Sequence, residues 1–247
     1  MLLLDAGNSR CKWAFHADGA WQQQGVLENA DTASWQLLQA RFAGMRAPQK
    51  IVVSNVAGET IARRIIEACS VWGMMPEFVT APGFQCGVHN AYEQAGQLGS
   101  DRWCALIAAW KREQGACLVV NCGTATTIDA LTANGEFTGG LILPGMTMMQ
   151  RCLTENTAQL NVAGGARQHF PRNTADAIYS GAVRATAGAI LQQRSLLQEI
   201  TGLTCPVLLS GGAACLLVDE LHGTAALVDD LVLQGLYIIG SGSSCNI

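Results

Sequence analysis

The length, composition and charge of the chain predict a compact globular protein. It has 247 residues, 49% apolar and 14% charged, with a formal net charge of −4, which excludes a disordered composition and leaves enough apolar material for two cores. No basic run is longer than two residues, so we expect no nucleic-acid partner.

The start of the chain and the scattered cysteines indicate the compartment. Met1 to Asp5 show no basic leader or cleavage site, and no later run is apolar over the length of a membrane span. We therefore expect a cytoplasmic protein with no membrane partner. The ten cysteines are scattered and form no Cys-x-x-Cys pair, and the four histidines lie far apart from one another, which predicts reduced thiols and no zinc cluster.

The chain begins with a predicted β-hairpin. An apolar strand over 2–4 runs into the polar turn Asp5-Ala6-Gly7-Asn8-Ser9, and residues 11–15 return as a second strand. Apolar periodicity then predicts helices over 32–42, 59–69 and 101–113, with Ser100 as the N-cap of the third. Strands that alternate with helices predict the α/β class.

The second half of the chain repeats the opening hairpin. A strand over 117–120 leads into Asn121-Cys122-Gly123-Thr124, and residues 126–131 return. In this repeat Asp5 corresponds to Asn121 and Gly7 to Gly123.

A second repeat follows in the same order, because the segment over 51–58 resembles that over 207–213. Two repeats predict a duplicated domain with lobes over 1–114 and 115–247. A long helix is predicted from Asn173 to about Ile200, and its many small residues favour a close intrachain or dimer contact.

The two hairpin turns have the composition of a phosphate-binding site. Tight turns with glycine and small polar residues present backbone N–H groups that hold phosphate oxygens without formal charge. Either turn alone is more often a plain hairpin, but two at matching positions can hold the phosphates of a nucleotide from opposite sides of a cleft. The chain has no Gly-x-x-x-x-Gly-Lys-Ser/Thr sequence, so a P-loop enzyme is excluded.

Charged residues beside these turns extend the hypothesis. Asp5 can bind Mg²⁺ directly or through its waters, although it can equally cap its own turn. Arg10 and Lys12 can neutralise phosphate charge. Gly211 and Gly212 follow a buried strand and can bring backbone close to the adenosine half of a nucleotide.

The segment Gly99-Ser100-Asp101-Arg102 combines an acid and a base at a helix start. Asp101 can serve as a general base for an alcohol and Arg102 as a donor to a carboxylate or phosphate. An acidic first turn also favours the helix dipole without any catalytic role.

These motifs together resemble the type III pantothenate kinase family. The resemblance rests on Asp5 to Trp13, Gly99 to Arg102, Gly123 to Asp129, Gly139-Gly140 with Pro144-Gly145-Met146, and Ser210 to Gly212, in the order of the family and over nearly the whole chain. It implies a duplicated actin-like (ribonuclease H-like) two-domain kinase fold with a central cleft. It also implies ATP-dependent phosphorylation of pantothenate to 4'-phosphopantothenate, the first step of coenzyme A biosynthesis.

The resemblance also implies roles for individual residues. Asp101 is the expected proton acceptor, and Asp5 is the expected Mg²⁺ ligand. The expected substrate-binding residues are Tyr92, Gly99, Ser100, Asp101, Arg102 and Thr174. The expected ATP-binding residues are Asp5, Ala6, Gly7, Asn8, Ser9, Arg10, Lys12, Gly123, Thr124, Gly211 and Gly212.

Asn121 departs from the family pattern. Many relatives carry aspartate there, associated with a monovalent cation such as K⁺ or NH₄⁺, and an amide oxygen brings no charge. The sequence therefore leaves dependence on a monovalent cation open. The family also implies a homodimer with the long later helix near the subunit contact.

Two other functions remain open. The phosphate-binding turns do not name the acceptor, so a kinase of another small alcohol or a sugar in the same superfamily is the first. A non-catalytic accessory or regulatory protein is the second, because family members have also been described as accessory factors for a virulence regulator. The intact Asp5 and Asp101 argue against an inactive enzyme.

Overall fold

The chain divides into two compact units, and its strands form two sheets. The computed structural model describes residues 1–156 and 164–242. The first unit comprises Met1–Arg112 with Asp230–Ile247, and the second comprises Glu113–Asp229.

The first unit contains seven strands and three helices before the chain leaves it. They are β1 (Leu2–Ala6), β2 (Arg10–Ala17), β3 (Ala20–Glu28), α1 (Thr32–Ala43), β4 (Ile51–Asn55), α2 (Glu59–Cys69), β5 (Glu77–Phe78), β6 (Phe84–Gln85), β7 (Val88–Asn90) and α3 (Ser100–Glu113). Five strands form a sheet in the order β3-β2-β1-β4-β5. β1 is antiparallel to β2 and parallel to β4.

The central strand of this sheet is covered on both faces. Leu2, Leu3 and Leu4 are fully buried, as expected where a continuous apolar run replaces strict alternation. Leu2 and Leu4 share a core with aromatic residues from the neighbouring elements, including Trp13, Trp35 and Phe42. Asp5 is the next-to-last residue of this strand.

The second unit repeats the topology of the first. Its elements are β8 (Cys117–Cys122), β9 (Ala125–Leu131), β10 (Glu136–Pro144), α4 (Met146–Asn156), α5 (Thr174–Thr201), β11 (Val207–Ser210) and β12 (Ala225–Leu227). Its strands are ordered β10-β9-β8-β11-β12, with β8 antiparallel to β9 and parallel to β11. The predicted duplication is confirmed, since strands in corresponding chain positions occupy corresponding sheet positions.

Two of the predicted helix starts are confirmed by their caps. The Asp31 side chain accepts a hydrogen bond from the Ala33 N–H at the start of α1, and that of Asn173 accepts one from Asp176 at the start of α5. α3 differs, because Ser100 already lies inside the helix. The prediction of Ser100 as N-cap is wrong: its hydroxyl forms a hydrogen bond with Ser54, and Gly99 accepts the helical bond from Trp103.

The last helix, α6 (Leu231–Ser241), contacts β1 and β4 of the first unit. Glycines let it approach closely: an ideal Cβ on Gly235 would lie 1.9 Å from the Cys104 carbonyl oxygen, and one on Gly240 would lie 2.9 Å from Val52 Cγ2. This helix therefore belongs to the first unit, whereas the predicted lobes over 1–114 and 115–247 place it in the second.

The cysteines and helices give two further observations. Eight cysteines of the described part of the chain are free thiols. Cys86, in the turn between β6 and β7, is disulfide-bonded, so the prediction that every cysteine is reduced is wrong there. Within residues 1–156 and 164–242, no helix combines the length and apolar character needed to cross a bilayer.

Candidate active site

Asp5 lies at the end of the buried central strand of the first unit. Its backbone is paired with Lys12 on β2 and with Ser54 on β4. Because strand pairing sets the neighbours of a side chain, this register places a lysine and a serine beside the carboxyl group. The end of the strand thus places a half-buried carboxylate just before the turn over residues 7–10, which we call the Gly7 turn.

The surroundings of Asp5 are rich in negative charge. Burial, followed by the charge of Asp101, raises the pKa of Asp5 to about 7. Lys12 opposes this rise and Asp230 adds to it. The charges of Asp101 and Asp230 thus act on Asp5 against that of Lys12, while the charge of Arg102 acts on Asp101.

Lys12 is held in place by Asp230. Its ammonium nitrogen lies 2.8 Å from Asp230 Oδ1, and each of these side chains is 36% exposed. Asp230 precedes α6 in the left-handed conformation, with φ of 50°, and its side chain makes no capping bond to that helix. The Asp230 carboxylate therefore forms an ion pair with Lys12 and does not cap its own helix.

The Gly7 turn is exposed from Asn8 to Arg10. The Gly7 N–H donates to the Arg10 carbonyl at 3.0 Å, and the Arg10 side chain pairs with Glu28 at 2.6 Å. An ideal Cβ on Gly7 would meet only the Arg10 carbonyl oxygen, at 3.6 Å. The packing of the unit itself therefore does not require glycine here.

Asp101 lies in the first turn of α3, which is anchored to β4. The Ser100 and Ser54 hydroxyl oxygens lie 2.9 Å apart in a buried contact. Because Ser54 neighbours Asp5 in the sheet, this contact fixes the start of α3 near the Asp5 strand end. Burial raises the pKa of Asp101, while its hydrogen bond from the Arg102 N–H and the Arg102 charge oppose the rise.

Gly99 makes room for the Asp101 carboxylate. An ideal Cβ on Gly99 would lie 2.6 Å from Asp101 Oδ1 and 3.6 Å from Val56 Cγ1. Any larger residue would push the carboxylate away from its position. Glycine at this position thus lets the Asp101 carboxylate keep its place.

Arg102 is buried, at 5% exposure, and is held by Tyr92. Its guanidinium donates to the Tyr92 hydroxyl at 2.9 Å and lies 5.6 Å from the centre of the same ring. The Asn90 side-chain oxygen accepts a hydrogen bond from the Tyr92 N–H at 3.1 Å. Arg102 and Tyr92, both predicted to bind substrate, therefore hold each other in place.

The second unit carries the matching turn after β8. Asn121 is half-buried, while Gly123 and Thr124 are exposed. The turn is backed by Gly145, whose N–H donates to the Thr124 carbonyl at 2.9 Å. An ideal Cβ on Gly145 would lie 2.3 Å from the Gly123 carbonyl oxygen, so only glycine allows this approach.

The remaining predicted residues also belong to the second unit. Gly211 follows β11 with φ of +97°, and its ideal Cβ would lie 2.5 Å from the Cys122 carbonyl oxygen. It thus packs against the end of β8, near Gly123. Gly212 is exposed, and Thr174 is the exposed first residue of α5.

Four of the predicted residues of the first unit interact electrostatically: Asp5 interacts with Lys12 and Asp101, and Asp101 interacts with Arg102. Ser54 and Asp230 were not predicted from the sequence. Ser54 has a signal in the repeat, because Ser54 neighbours Asp5 as Ser210 neighbours Asn121. Asp230 reads in sequence as an ordinary helix cap.

A comparison with solved structures identifies the class of fold. The chain is similar to the activator of the 2-hydroxyisocaproyl-CoA dehydratase from Clostridium difficile with bound ADPNP, with a TM-score of 0.53 over 97% of this chain and 92% of that one. The identity is 12%, so the likeness concerns the fold alone. With the duplicated sheets described above, the fold is the actin-like two-domain α/β fold.

Comparisons of sequence identify the family. The family model for type III pantothenate kinase matches residues 1–195. The type III pantothenate kinase of Nitrosospira multiformis is 44% identical over 244 residues, covering 99% of this chain and 92% of that protein. That of Aromatoleum aromaticum is 46% identical over 239 residues, covering 97% of each. The chain belongs to the type III pantothenate kinase family.

Proposed function

We propose that this chain is a kinase that transfers the γ-phosphoryl group of ATP to pantothenate, giving 4'-phosphopantothenate and ADP in the first step of coenzyme A biosynthesis. Family membership supports the choice of substrates. The observation that carries the chemistry is the electrostatic contact of Asp5 with Asp101, beside an exposed turn and a buried arginine.

Asp101 is the proposed general base. It accepts the proton of the primary hydroxyl of pantothenate as that oxygen attacks the γ-phosphorus and the bond to the ADP oxygen breaks. Its raised pKa makes the ionised form a stronger base than an exposed aspartate. Gly99 and Ser100 position this carboxylate.

Arg102 and Tyr92 are the proposed pantothenate contacts, with Thr174 contributed by the second unit. The guanidinium is buried and held against the tyrosine ring, so little side-chain entropy is lost when it meets the substrate. Arg102 would face the pantothenate carboxylate or the transferring phosphoryl group.

ATP is proposed to bind through the turns of both units. Exposed backbone N–H groups and the ammonium group of Lys12 would receive phosphate oxygens, and Gly211 and Gly212 would lie against the adenosine half. The full set comprises Asp5, Ala6, Gly7, Asn8, Ser9, Arg10, Lys12, Gly123, Thr124, Gly211 and Gly212.

Mg²⁺ fits the chemistry of the Asp5 surroundings. Asp101 and Asp230 bring two further carboxyl groups to the Asp5 surroundings, and carboxylate oxygens are the ligands that Mg²⁺ prefers. Asp5 would hold the ion, which supplies positive charge to the phosphate oxygens when bound. Asn121 would offer a monovalent cation such as K⁺ or NH₄⁺ only a neutral amide oxygen.

The proposal includes a cytoplasmic homodimer that uses the small-residue surface of α5. Along α5, ideal Cβ atoms on Gly181 and Gly188 would meet no atom within 4 Å in the described residues, which leaves room for a close partner. Light scattering after gel filtration should give twice the mass of one chain. A monomeric mass would contradict this part of the proposal.

The function is tested by ADP release from purified protein with Mg-ATP and a panel of acceptors. We expect release that depends on pantothenate, with 4'-phosphopantothenate identified by mass spectrometry. Turnover of a sugar or another alcohol but not pantothenate would reject the substrate, and no turnover of any acceptor would favour an accessory role. Repeating the assay with Na⁺ in place of K⁺ tests the Asn121 position.

A further inference from the structure

Asn29 donates hydrogen bonds to three consecutive carbonyl groups of the Gly7 turn. Its side-chain nitrogen Nδ2 donates to the Gly7 carbonyl at 2.6 Å and to the Asn8 carbonyl at 3.2 Å. Its backbone N–H donates to the Ser9 carbonyl at 2.9 Å. Three consecutive carbonyl groups of the turn therefore face one residue.

The direction of these carbonyl groups determines the direction of the N–H groups. The described peptide bonds are all trans, and in a trans peptide the C=O and N–H of one plane point in opposite directions. The N–H groups of Asn8, Ser9 and Arg10 share planes with the three carbonyl groups that Asn29 holds. These N–H groups consequently face away from Asn29, as a phosphate cradle requires.

The backbone of Asn29 is itself fixed by both helices that pack beside it. Its carbonyl oxygen accepts hydrogen bonds from Trp35 Nε1 of α1, at 3.3 Å, and from Arg64 Nη1 of α2. Asn29 is 6% exposed. The residue is thus a fixed support and not a mobile loop side chain.

The side-chain amide of Asn29 forms hydrogen bonds through its nitrogen and not through its oxygen. Its oxygen Oδ1 is buried without a hydrogen-bond partner among the described residues. Rotating the amide by 180° would place that oxygen against two carbonyl oxygens, so the observed orientation is the only favourable one. A buried amide that leaves its oxygen unpaired costs stability, which is consistent with a functional rather than a structural role.

The second unit supports its corresponding turn in a similar way but with different chemistry. There the N–H of Gly145 holds the Thr124 carbonyl, and its α-carbon lies against the Gly123 carbonyl. Each unit therefore backs its turn on the carbonyl side, with an amide side chain in the first and a bare backbone in the second.

We propose that Asn29 is a positioning residue for ATP: by holding the carbonyl groups of Gly7, Asn8 and Ser9, it aims the N–H groups of the turn at the nucleotide phosphates. This inference rests on the proposed function, since it assigns the turn to ATP. It predicts that Asn29 controls nucleotide affinity and leaves pantothenate affinity nearly unchanged.

The test compares Asn29→Asp and Asn29→Ser with the control Trp35→Phe. Asn29→Asp keeps the shape but turns the Nδ2 donor into an acceptor that repels the carbonyl groups, whereas Trp35→Phe removes a hydrogen bond to the same residue without touching its side chain. The affinity for Mg-ADPNP is measured by calorimetry, the KM for pantothenate by ADP release, and folding by thermal unfolding.

We expect each Asn29 variant to bind Mg-ADPNP at least about tenfold more weakly, with the KM for pantothenate within about twofold of wild type. Trp35→Phe should lower the Tm and leave nucleotide affinity within about twofold. Equal nucleotide affinity in folded Asn29→Asp and wild type would overturn the inference. So would a parallel rise of both substrate constants.

A measurement on the wild-type protein keeps the inference testable if both Asn29 variants fail to fold. Bound Mg-ADPNP should slow hydrogen exchange at the N–H groups of Asn8, Ser9 and Arg10, and unchanged exchange at all three would refute the proposed direction of the turn. If wild-type protein binds no nucleotide, the proposed function itself fails, which separates that outcome from failure of the Asn29 role.

Discussion

The raised pKa of Asp5 predicts that nucleotide affinity depends on pH near neutrality. If the ionised carboxylate is needed to bind the Mg-nucleotide, affinity follows the ionised fraction. With a pKa of about 7, that fraction is about ten elevenths at pH 8 and about one eleventh at pH 6. Affinity should therefore fall about tenfold from pH 8 to pH 6.

The assay is calorimetric titration of Mg-ADPNP at pH 6, 7 and 8 into wild type and Asp5→Asn. The nucleotide phosphates also titrate, and they do so equally with both proteins, so the difference between the two slopes isolates Asp5. We expect weak binding to Asp5→Asn at every pH and a steeper pH dependence in wild type. Identical slopes would refute the reasoning.

The contribution of Asp5 to folding stability should increase as the pH falls, whereas its contribution to nucleotide affinity should decrease. The folded protein retains the Asp5 proton up to about pH 7, whereas the unfolded chain releases it near the ordinary value of 3.8. The contribution of the neutral carboxyl to stability is thus fully present below pH 3.8 and is lost as the pH rises to about 7. Asp5→Asn, which cannot ionise, should have a higher Tm than wild type at pH 8, and an equal or lower Tm would contradict the pKa shift.

Three glycines give further predictions that separate binding from folding. Gly7→Ala should leave the Tm nearly unchanged, because the added Cβ makes one ordinary contact. The same substitution should weaken Mg-ADPNP binding, and unchanged affinity would show that the ligand does not approach this position. Gly99→Ala should lower kcat at least about tenfold in ADP-release assays by displacing Asp101, and a kcat within twofold of wild type would contradict that packing. Gly235→Ala should destabilise the chain by more than about 2 kcal/mol in urea unfolding, because its Cβ would meet the Cys104 carbonyl at 1.9 Å; a wild-type midpoint would argue against the observed docking of α6.

Much of the fold was predictable because local sequence patterns determine its strands, turns and helix starts. The hairpins of both units have apolar strands around short polar turns, and α1 and α5 have caps adjacent in sequence to the helices they start. The duplication was predictable because Asp5 and Asn121 end corresponding strands. Proximity of Asp101 to Asp5 was expected only from the resemblance, since nothing local links a strand end to a helix start 96 residues later in the chain.

The contacts that sequence analysis missed are non-local. Lys12 and Asp230 are 218 positions apart, so only the return of α6 to the first unit reveals the pair. Asn29 lies 22 positions from Gly7, at the end of a strand whose pattern predicts no interaction with the turn. Side chains that act on backbone atoms of another segment leave no periodic signal, and they became visible only when the sheet order was known.

The central claim concerns the carboxylate that deprotonates the acceptor, and Asp101→Asn tests it most directly. Pantothenate-dependent ADP release should fall at least about a hundredfold in this variant, while its affinity for Mg-ADPNP stays close to that of wild type. Turnover at the wild-type rate by a folded Asp101→Asn protein would contradict the account.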